Sequence, residues 1–271
     1  MNNFMKKILF VLLLSSKFLT AQNLTFVYEL KFKSNSANEN LTTAMYYLDR
    51  SEKQSVFRSE KARLSDSLKE KIGYKSVEKM TYDQLYIVKN KENKEVIKNI
   101  TTPMMNDEFF LTIEDQLVWE VLPEKSKMGE MECQKATVKY GGRNWTAWFD
   151  PKIPVQDGPY IFNGLPGLIV KISDDKGDYD FSLAEIKNHN GNKMFNLRKG
   201  KEISWENYNK LQKNYYSDPF SEIKSKGVKY KVADENGNPV DMNFKQLTEN
   251  IQKQMRENNN PIELNHKINY K

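Results

Sequence analysis

From Leu24 to Phe32 every second residue is large and apolar: Leu24, Phe26, Tyr28, Leu30 and Phe32 alternate with Thr25, Val27, Glu29 and Lys31. Side chains on a strand alternate between faces, so this stretch predicts a strand that presents five large groups to one side of a sheet. Short runs rich in β-branched and aromatic residues, bounded by Asn, Lys and Glu clusters, recur at 43–49, 54–58, 84–89, 95–101, 109–113 and 117–122. Residues 65–71 read as a helical turn or a loop between them.

The middle of the chain carries the clearest hairpin signals. Residues 133–140 run into Gly141-Gly142 and residues 144–149 return; a Gly-Gly pair accepts the positive φ angles of a two-residue hairpin turn. Residues 168–173 lead through Asp174-Asp175-Lys176-Gly177 into 178–186, where Tyr179, Phe181 and Leu183 alternate with Asp180 and Ser182. Further on, Ser204 caps a helix carrying Trp205, Tyr208, Leu211 and Gln212, and Asp218-Pro219 ends it, because the residue before proline disfavours helical backbone. A loop follows through 235–239. Asn243 then caps a second helix, with Gln246 in capping-box position and an apolar stripe of Phe244, Leu247, Ile251 and Met255 turned to the sheet. The expected fold is mainly β (α+β). It is a curved antiparallel sheet or incomplete barrel, with C-terminal helices within 204–258 packed on it, in a single domain over residues 22–271.

Residues 1–21 read as a signal peptide. Lys6 and Lys7 precede the apolar run Ile8-Leu9-Phe10-Val11-Leu12-Leu13-Leu14, too short for the roughly 20 residues a membrane-spanning helix needs, and Ala21 precedes polar Gln22. Cleavage is expected after Ala21, although Leu19 is a poor −3 residue, and the product is expected in the periplasm, with secretion or outer-membrane association as variants. Removing residues 1–21 takes three lysines and no acid, which lowers the net charge from +6 to +3. The remaining basic spots are scattered, so no nucleic-acid partner is expected. No second apolar run approaches a membrane span. With one Cys and two His, the chain has no internal disulfide and no four-ligand zinc site built from Cys and His alone; no cofactor and no metal are expected.

Residues 150–170 stand out. The chain has 12 Gly and 9 Pro, seven of them in this stretch, and no residue from Gly158 to Val170 is charged. Proline fixes φ and glycine permits angles others avoid, so this is a rigid, shaped loop. It either plugs the core at the sheet end, the simpler reading, or walls a binding pocket. Gly164-Leu165-Pro166-Gly167-Leu168-Ile169 spells the signature of the GLPGLI family of exported Gram-negative bacterial proteins. The flanks resemble that family too: Cys133-Gln134-Lys135-Ala136-Thr137, Gly142-Arg143, Ala147-Trp148-Phe149, Ile153-Pro154 and Gly158-Pro159-Tyr160. The resemblance is closest over about 130–186 and weaker back to the first strand. The family brings no established activity, only an association with TonB-dependent outer-membrane transport. A weaker resemblance is to LolA-type periplasmic lipoprotein carriers, which are incomplete barrels lidded by helices.

Catalytic motifs are not found: the chain has no Gly-x-Ser-x-Gly elbow, no His-Glu-x-x-His and no phosphate-binding loop. His189 and His266 read as surface residues, Cys133 as a buried or idle thiol rather than a nucleophile, and Asp174, Asp175, Asp178 and Asp180 as a hairpin turn rather than a calcium loop. Trp145 and Trp148, three apart on a strand, should face opposite sides. Either both are covered, or an exposed Trp joins Arg143 and Tyr160 in a recognition patch. The candidate binding or structural residues are therefore Arg143, Trp145, Trp148, Tyr160 and Gly164 to Ile169. Three functions remain open. A non-catalytic binding or carrier protein for an apolar ligand needs an apolar concavity of a few hundred cubic ångströms. A module docking on an outer-membrane protein needs an exposed apolar patch. A hydrolase using Asp150 or Asp157 needs paired carboxylates in a cleft.

Overall fold

The computed structural model describes residues 23–37, 39–73, 81–82, 84–189, 194–225, 232–233, 239–240 and 243–271. The expected signal peptide lies outside them, as does the 235–239 loop apart from Pro239.

Local pairing builds two antiparallel meanders. The first is β1 (Asn23–Phe32), β2 (Thr42–Arg50), β3 (Gln54–Ser59), β4 (Ile87–Asn90), β5 (Val96–Thr101) and β6 (Glu108–Thr112). The second is β7 (Glu120–Met128), β8 (Met131–Tyr140), β9 (Arg143–Asp150), β10 (Leu168–Asp174) and β11 (Tyr179–His189). β1 pairs with β11 along its whole length, from Asn23↔His189 to Phe32↔Tyr179, and joins the meanders into one sheet. β12 (Lys201–Glu202) adds beside β6, giving 12 strands in a curved sheet whose ends do not meet. A short pair, β13 (Val232–Ala233) and β14 (Pro239–Val240), stands apart.

The alternation read in β1 is carried through: Phe26, Tyr28 and Leu30 are buried on the inner face, joined by Tyr46 and Leu48 of β2 and Phe57 of β3. Three details differ from expectation. β12 runs parallel to β6, so the sheet is mixed. Gly200 permits this, since a Cβ there would sit 3.0 Å from the Glu108 backbone. The strand expected at 117–122 begins only at Glu120 and extends to Met128, with a bulge between Val121 and Lys125 around Pro123, which has no N–H for a ladder. Residues 65–71 belong to a full helix, α1 (Glu60–Ile72), capped by Ser59 accepting from the Ala62 N–H and by left-handed Gly73.

α1 packs on the outer face through charge. Fully buried Arg58 of β3 donates to Asp49 at 2.9 Å and to Asp66 of α1 at 2.5 Å, and Arg198 donates to the other Asp66 oxygen at 2.8 Å. The two anticipated helices appear as α2 (Trp205–Ser217), capped by Ser204, and α4 (Phe244–Glu257), capped by Asn243. Between them lies one turn, α3 (Ser221–Ser225). The α4 stripe packs with Tyr208 and Tyr215 of α2 against Ile100 and Leu111 at the β5–β6 end of the inner face. Residues 258–271 then return across that face as a strap. Among the described residues no helix is long and apolar enough to cross a membrane.

Cys133 is fully buried in β8, and burial, with a smaller contribution from Asp150, pushes its thiol up to about 11. The thiolate is the reactive form. A thiol reagent at neutral pH should therefore label Cys133 only as fast as the protein unfolds, and Cys133→Ser should fold normally; rapid labelling of the native protein would contradict this burial.

Candidate functional site

The β9–β10 connection is the signature loop. It folds across the inner face. Tyr160, Ile161, Phe162 and Leu165 are buried, and Phe162 is the hub of an aromatic cluster, 4.7 Å from Trp145, 6.0 Å from Tyr140 and 6.3 Å from Trp119 between ring centres. Trp119 Nε1 donates to the Asn163 carbonyl at 2.8 Å. Gly164 has φ +92°, a backbone state that L side chains rarely adopt. Gly167 is required for another reason: a Cβ there would lie 2.2 Å from the Asp150 carbonyl oxygen. Pro166 is exposed, while Leu168 and Ile169 are buried at the start of β10. The loop plugs the core.

Three of the cations on the inner face are each held by a segment that covers them. Lys89 Nζ meets Asp157 Oδ1 at 2.6 Å and the Gly158 carbonyl at 2.7 Å, both in the signature loop. Lys98 donates to Glu263 of the strap at 2.8 Å and to the Tyr160 hydroxyl at 2.9 Å. Arg143 donates to Asp174 at 2.6 Å, Asp178 at 2.8 Å, the Asn260 side chain at 2.7 Å and the Pro261 and Ile262 carbonyls. Arg143 is therefore not part of an exposed recognition patch. Its guanidinium is a buried clasp between the β10–β11 turn and the strap, and it accounts for Asp174 and Asp178. Tyr160 is likewise fully buried, with φ +52°. Trp145 points inward and Trp148 to the opposite, partly exposed face, as strand alternation requires.

Glu263 is the centre of the densest polar cluster. It accepts from Lys98, from Tyr140 at 2.9 Å and, in a short contact, from Tyr160. Burial alone would raise its carboxyl, but the Lys98 charge and these donors outweigh it and hold Glu263 below the ordinary carboxylate value. Burial, reinforced by Glu263, raises both tyrosines. Asp150 and Asp157 do not act as a facing pair: Asp150 accepts from the Lys152 N–H at 2.8 Å, and Asp157 is bound to Lys89.

Above Lys98 and Glu263 lies a cavity of about 130 Å³, bounded by the inner face, α2, the end of α4 and the strap. Its floor is Leu30, Phe32, Tyr46 and Tyr179. One wall is Trp205, Tyr208 and Asn209 of α2, and another is strap residues including Glu263 and His266. His266, read from sequence as a surface residue, stacks on Trp205 with ring centres 3.9 Å apart, and burial lowers its pKa. Asn209 Oδ1 is buried without a hydrogen-bond partner. None of the signature residues lines the cavity; Tyr160 supports it from behind, through Lys98 and Glu263. Glu263 lies 165 residues downstream of Lys98 and carries no motif, so no local pattern links the two.

A family model described as a protein of unknown function (Porph_ging) matches residues 124–171, from β7 through the signature loop. The match covers the signature and fits the GLPGLI resemblance loosely. In fold, the chain is similar to PNGF-II, solved in a C2 crystal, with a TM-score of 0.52, 16% identity and coverage of 71% of this chain. A P21 crystal of PNGF-II gives 0.49, 16% and 70%. The chain spans a third of the length of PNGF-II, 33%. Neither similarity involves a LolA-type carrier. A search of curated protein sequences finds no match.

The loop generates one prediction and the cluster two. Leu168→Ala should cost about 2–5 kcal/mol by leaving a core void, and Gly167→Ala should be destabilising because backbone must move to admit the Cβ; unfolding of either variant in urea at the wild-type midpoint would refute this packing. Glu263→Gln leaves Lys98 buried and unpaired, at a cost of about 3–5 kcal/mol, and the Lys98→Met/Glu263→Gln double variant should lose less than the two singles summed. Because folding lowers the Glu263 pKa, its contribution is complete above the unfolded value of 4.5 and is lost as pH falls through the folded one. Wild-type stability should therefore drop on acidification below that range, by thermal melts, more steeply than that of the Glu263→Gln variant.

Proposed function

We propose that the protein is an exported, non-catalytic binding protein of the periplasm whose ligand occupies the cavity between the inner sheet face, α2 and the strap. The observation that carries this reading is Asn209 Oδ1, a buried acceptor with no partner at the wall of an otherwise well-packed cavity. Leaving a buried acceptor unsatisfied is costly, and a ligand donor removes that cost. The cavity is smaller and more polar than a carrier of long apolar chains needs. Small-molecule pockets run from about 300 Å³ upward, whereas about 150 Å³ suffices for a benzene ring. The ligand is thus a ring-sized group with apolar surface for the floor and a hydrogen-bond donor for Asn209. Export rests on the basic start, the short apolar run and Ala21-Gln22, and membership of the GLPGLI proteins on the signature, its flanks and the partial family match.

Native mass spectrometry of the protein isolated from the periplasm of its own cells tests both parts. The expected mass begins at Gln22 and carries a small non-covalent adduct that is lost in Asn209→Leu and in Met255→Trp, which fills the cavity. A mass retaining Met1 would overturn export, and an adduct that survives Met255→Trp, or none in the wild type, would overturn the cavity as the site.

A further inference from the structure

A second feature lies at another rim of the inner face, beside the signature loop. Arg50↔Ser55 and Ser55↔Lys89 are directly opposite pairs across β2, β3 and β4. Opposite residues on neighbouring strands point to the same side, about 5 Å apart. Lys89 points inward to Asp157 and Gly158, so Ser55 and Arg50 stand in the same row. Lys91, just past β4, folds its amine back onto the Ser51 and Glu52 carbonyls and is close enough to Arg50 and Lys89 for their charges to act on it.

This row lacks the compensation found elsewhere on the sheet. Arg58, Lys98 and Arg143 each contact at least one carboxylate. Arg50 has no ion pair among the described residues, and its Nε is buried without a hydrogen-bond partner. Ser55 is fully buried, and its hydroxyl also has no partner. The carboxylate within the cluster, Asp157, is in contact with Lys89 and acts on Arg50 and Lys91 only from beyond ion-pair distance, and Glu52 acts more weakly on Lys91 from the exposed turn. Three cations therefore face one tightly engaged acid. Arg50 and Lys91 are only half-buried, which leaves the row open to solvent on one side.

We propose that Arg50, Ser55 and Lys91 form an anion site, separate from the cavity, for a compact dianionic oxyanion: the phosphate or sulfate group of a soluble ligand. The guanidinium offers its Nε–H and an Nη–H as a two-point fork to such a group, which no ammonium can do. The Ser55 hydroxyl supplies a third donor from the floor, and Lys91 supplies charge from the rim. A dianion balances the excess of the cluster, where a single carboxylate would leave it positive. Asp157 stays on Lys89 and fixes the signature loop as the neighbouring wall.

The test is titration of the mature protein with sodium phosphate and, separately, sodium sulfate, by calorimetry and thermal melts, against sodium chloride at equal ionic strength. One or both oxyanions should bind saturably and raise the melting temperature beyond the chloride control; the stronger of the two identifies the group. Arg50→Gln should weaken that binding tenfold or more. Without anion it should melt no lower than wild type, because it removes a partly desolvated cation that no carboxylate contacts; an arginine with a purely structural role would lower the melt instead. Lys91→Gln, on a half-exposed side chain, should also weaken binding, and it decides the matter if Arg50→Gln does not fold. Lys53→Gln, in the exposed pair with Glu92, should change nothing. The site is refuted if neither oxyanion exceeds chloride, or if Arg50→Gln and Lys91→Gln bind as wild type does.

Discussion

Burying a cation on the inner face of a sheet sets a strict condition on everything that covers it. An unpaired charge in that setting costs several kcal/mol, so each one dictates where its counter-charge must come to rest. Lys89 determines the position of the signature loop through Asp157, Lys98 that of the strap through Glu263, and Arg143 that of the strap again through Asn260 and two carbonyls. Apolar packing alone would accept several ways of laying these segments across the sheet. The ion pairs accept one. The cavity follows from this arrangement, because it is the space left where the strap is held by its polar contacts and α2 by its aromatic ones.

The signature loop belongs to the same scheme. Its glycines and prolines shape a connection that has to leave β9, cross the inner face and re-enter as β10 within contact of its own starting point, where the Gly167 Cα lies against the Asp150 carbonyl. Its aromatic residues fill the space between the strands, and Tyr160 extends the loop's reach to Lys98 and Glu263. The segment is a structural keystone whose influence on the cavity is indirect, and whose outer end walls the row of Arg50, Ser55 and Lys89.

The strands were legible because alternation is local: β1, the Gly141-Gly142 hairpin and the Asp174–Gly177 turn all announce themselves within a few residues. The helix caps at Ser204 and Asn243 were legible for the same reason. α1 was not, because its exposed Leu64 and Ile72 give no apolar stripe and its anchor is the Arg58–Asp66 pair, a contact between charges that pattern reading assigns to solvent. The burial of Arg143 is hidden for the same reason, since its partners Asp174, Asp178 and Asn260 are ordinary polar residues distant in sequence. His266 reads as a surface residue because its stretch is polar, yet Asn260, Ile262, Glu263 and Ile268 are buried, and they make that stretch a packed strap. In each case the deciding partner lies far away in sequence and carries an ordinary residue type.

The order of the strands has a further consequence. Each meander is wound from neighbours in sequence, and the two touch edge to edge along one line, β1 against β11. The chain passes from the first meander to the second through residues 113–119, and after β11 it comes back to lay β12 beside β6. Severing it there would cut no ladder and leave both halves with their own turns intact. Such a molecule is divisible: two separate polypeptides, one ending after β6 and one beginning before β7, retain complementary edges at both β1–β11 and β6–β12, from which the whole sheet can be reassembled.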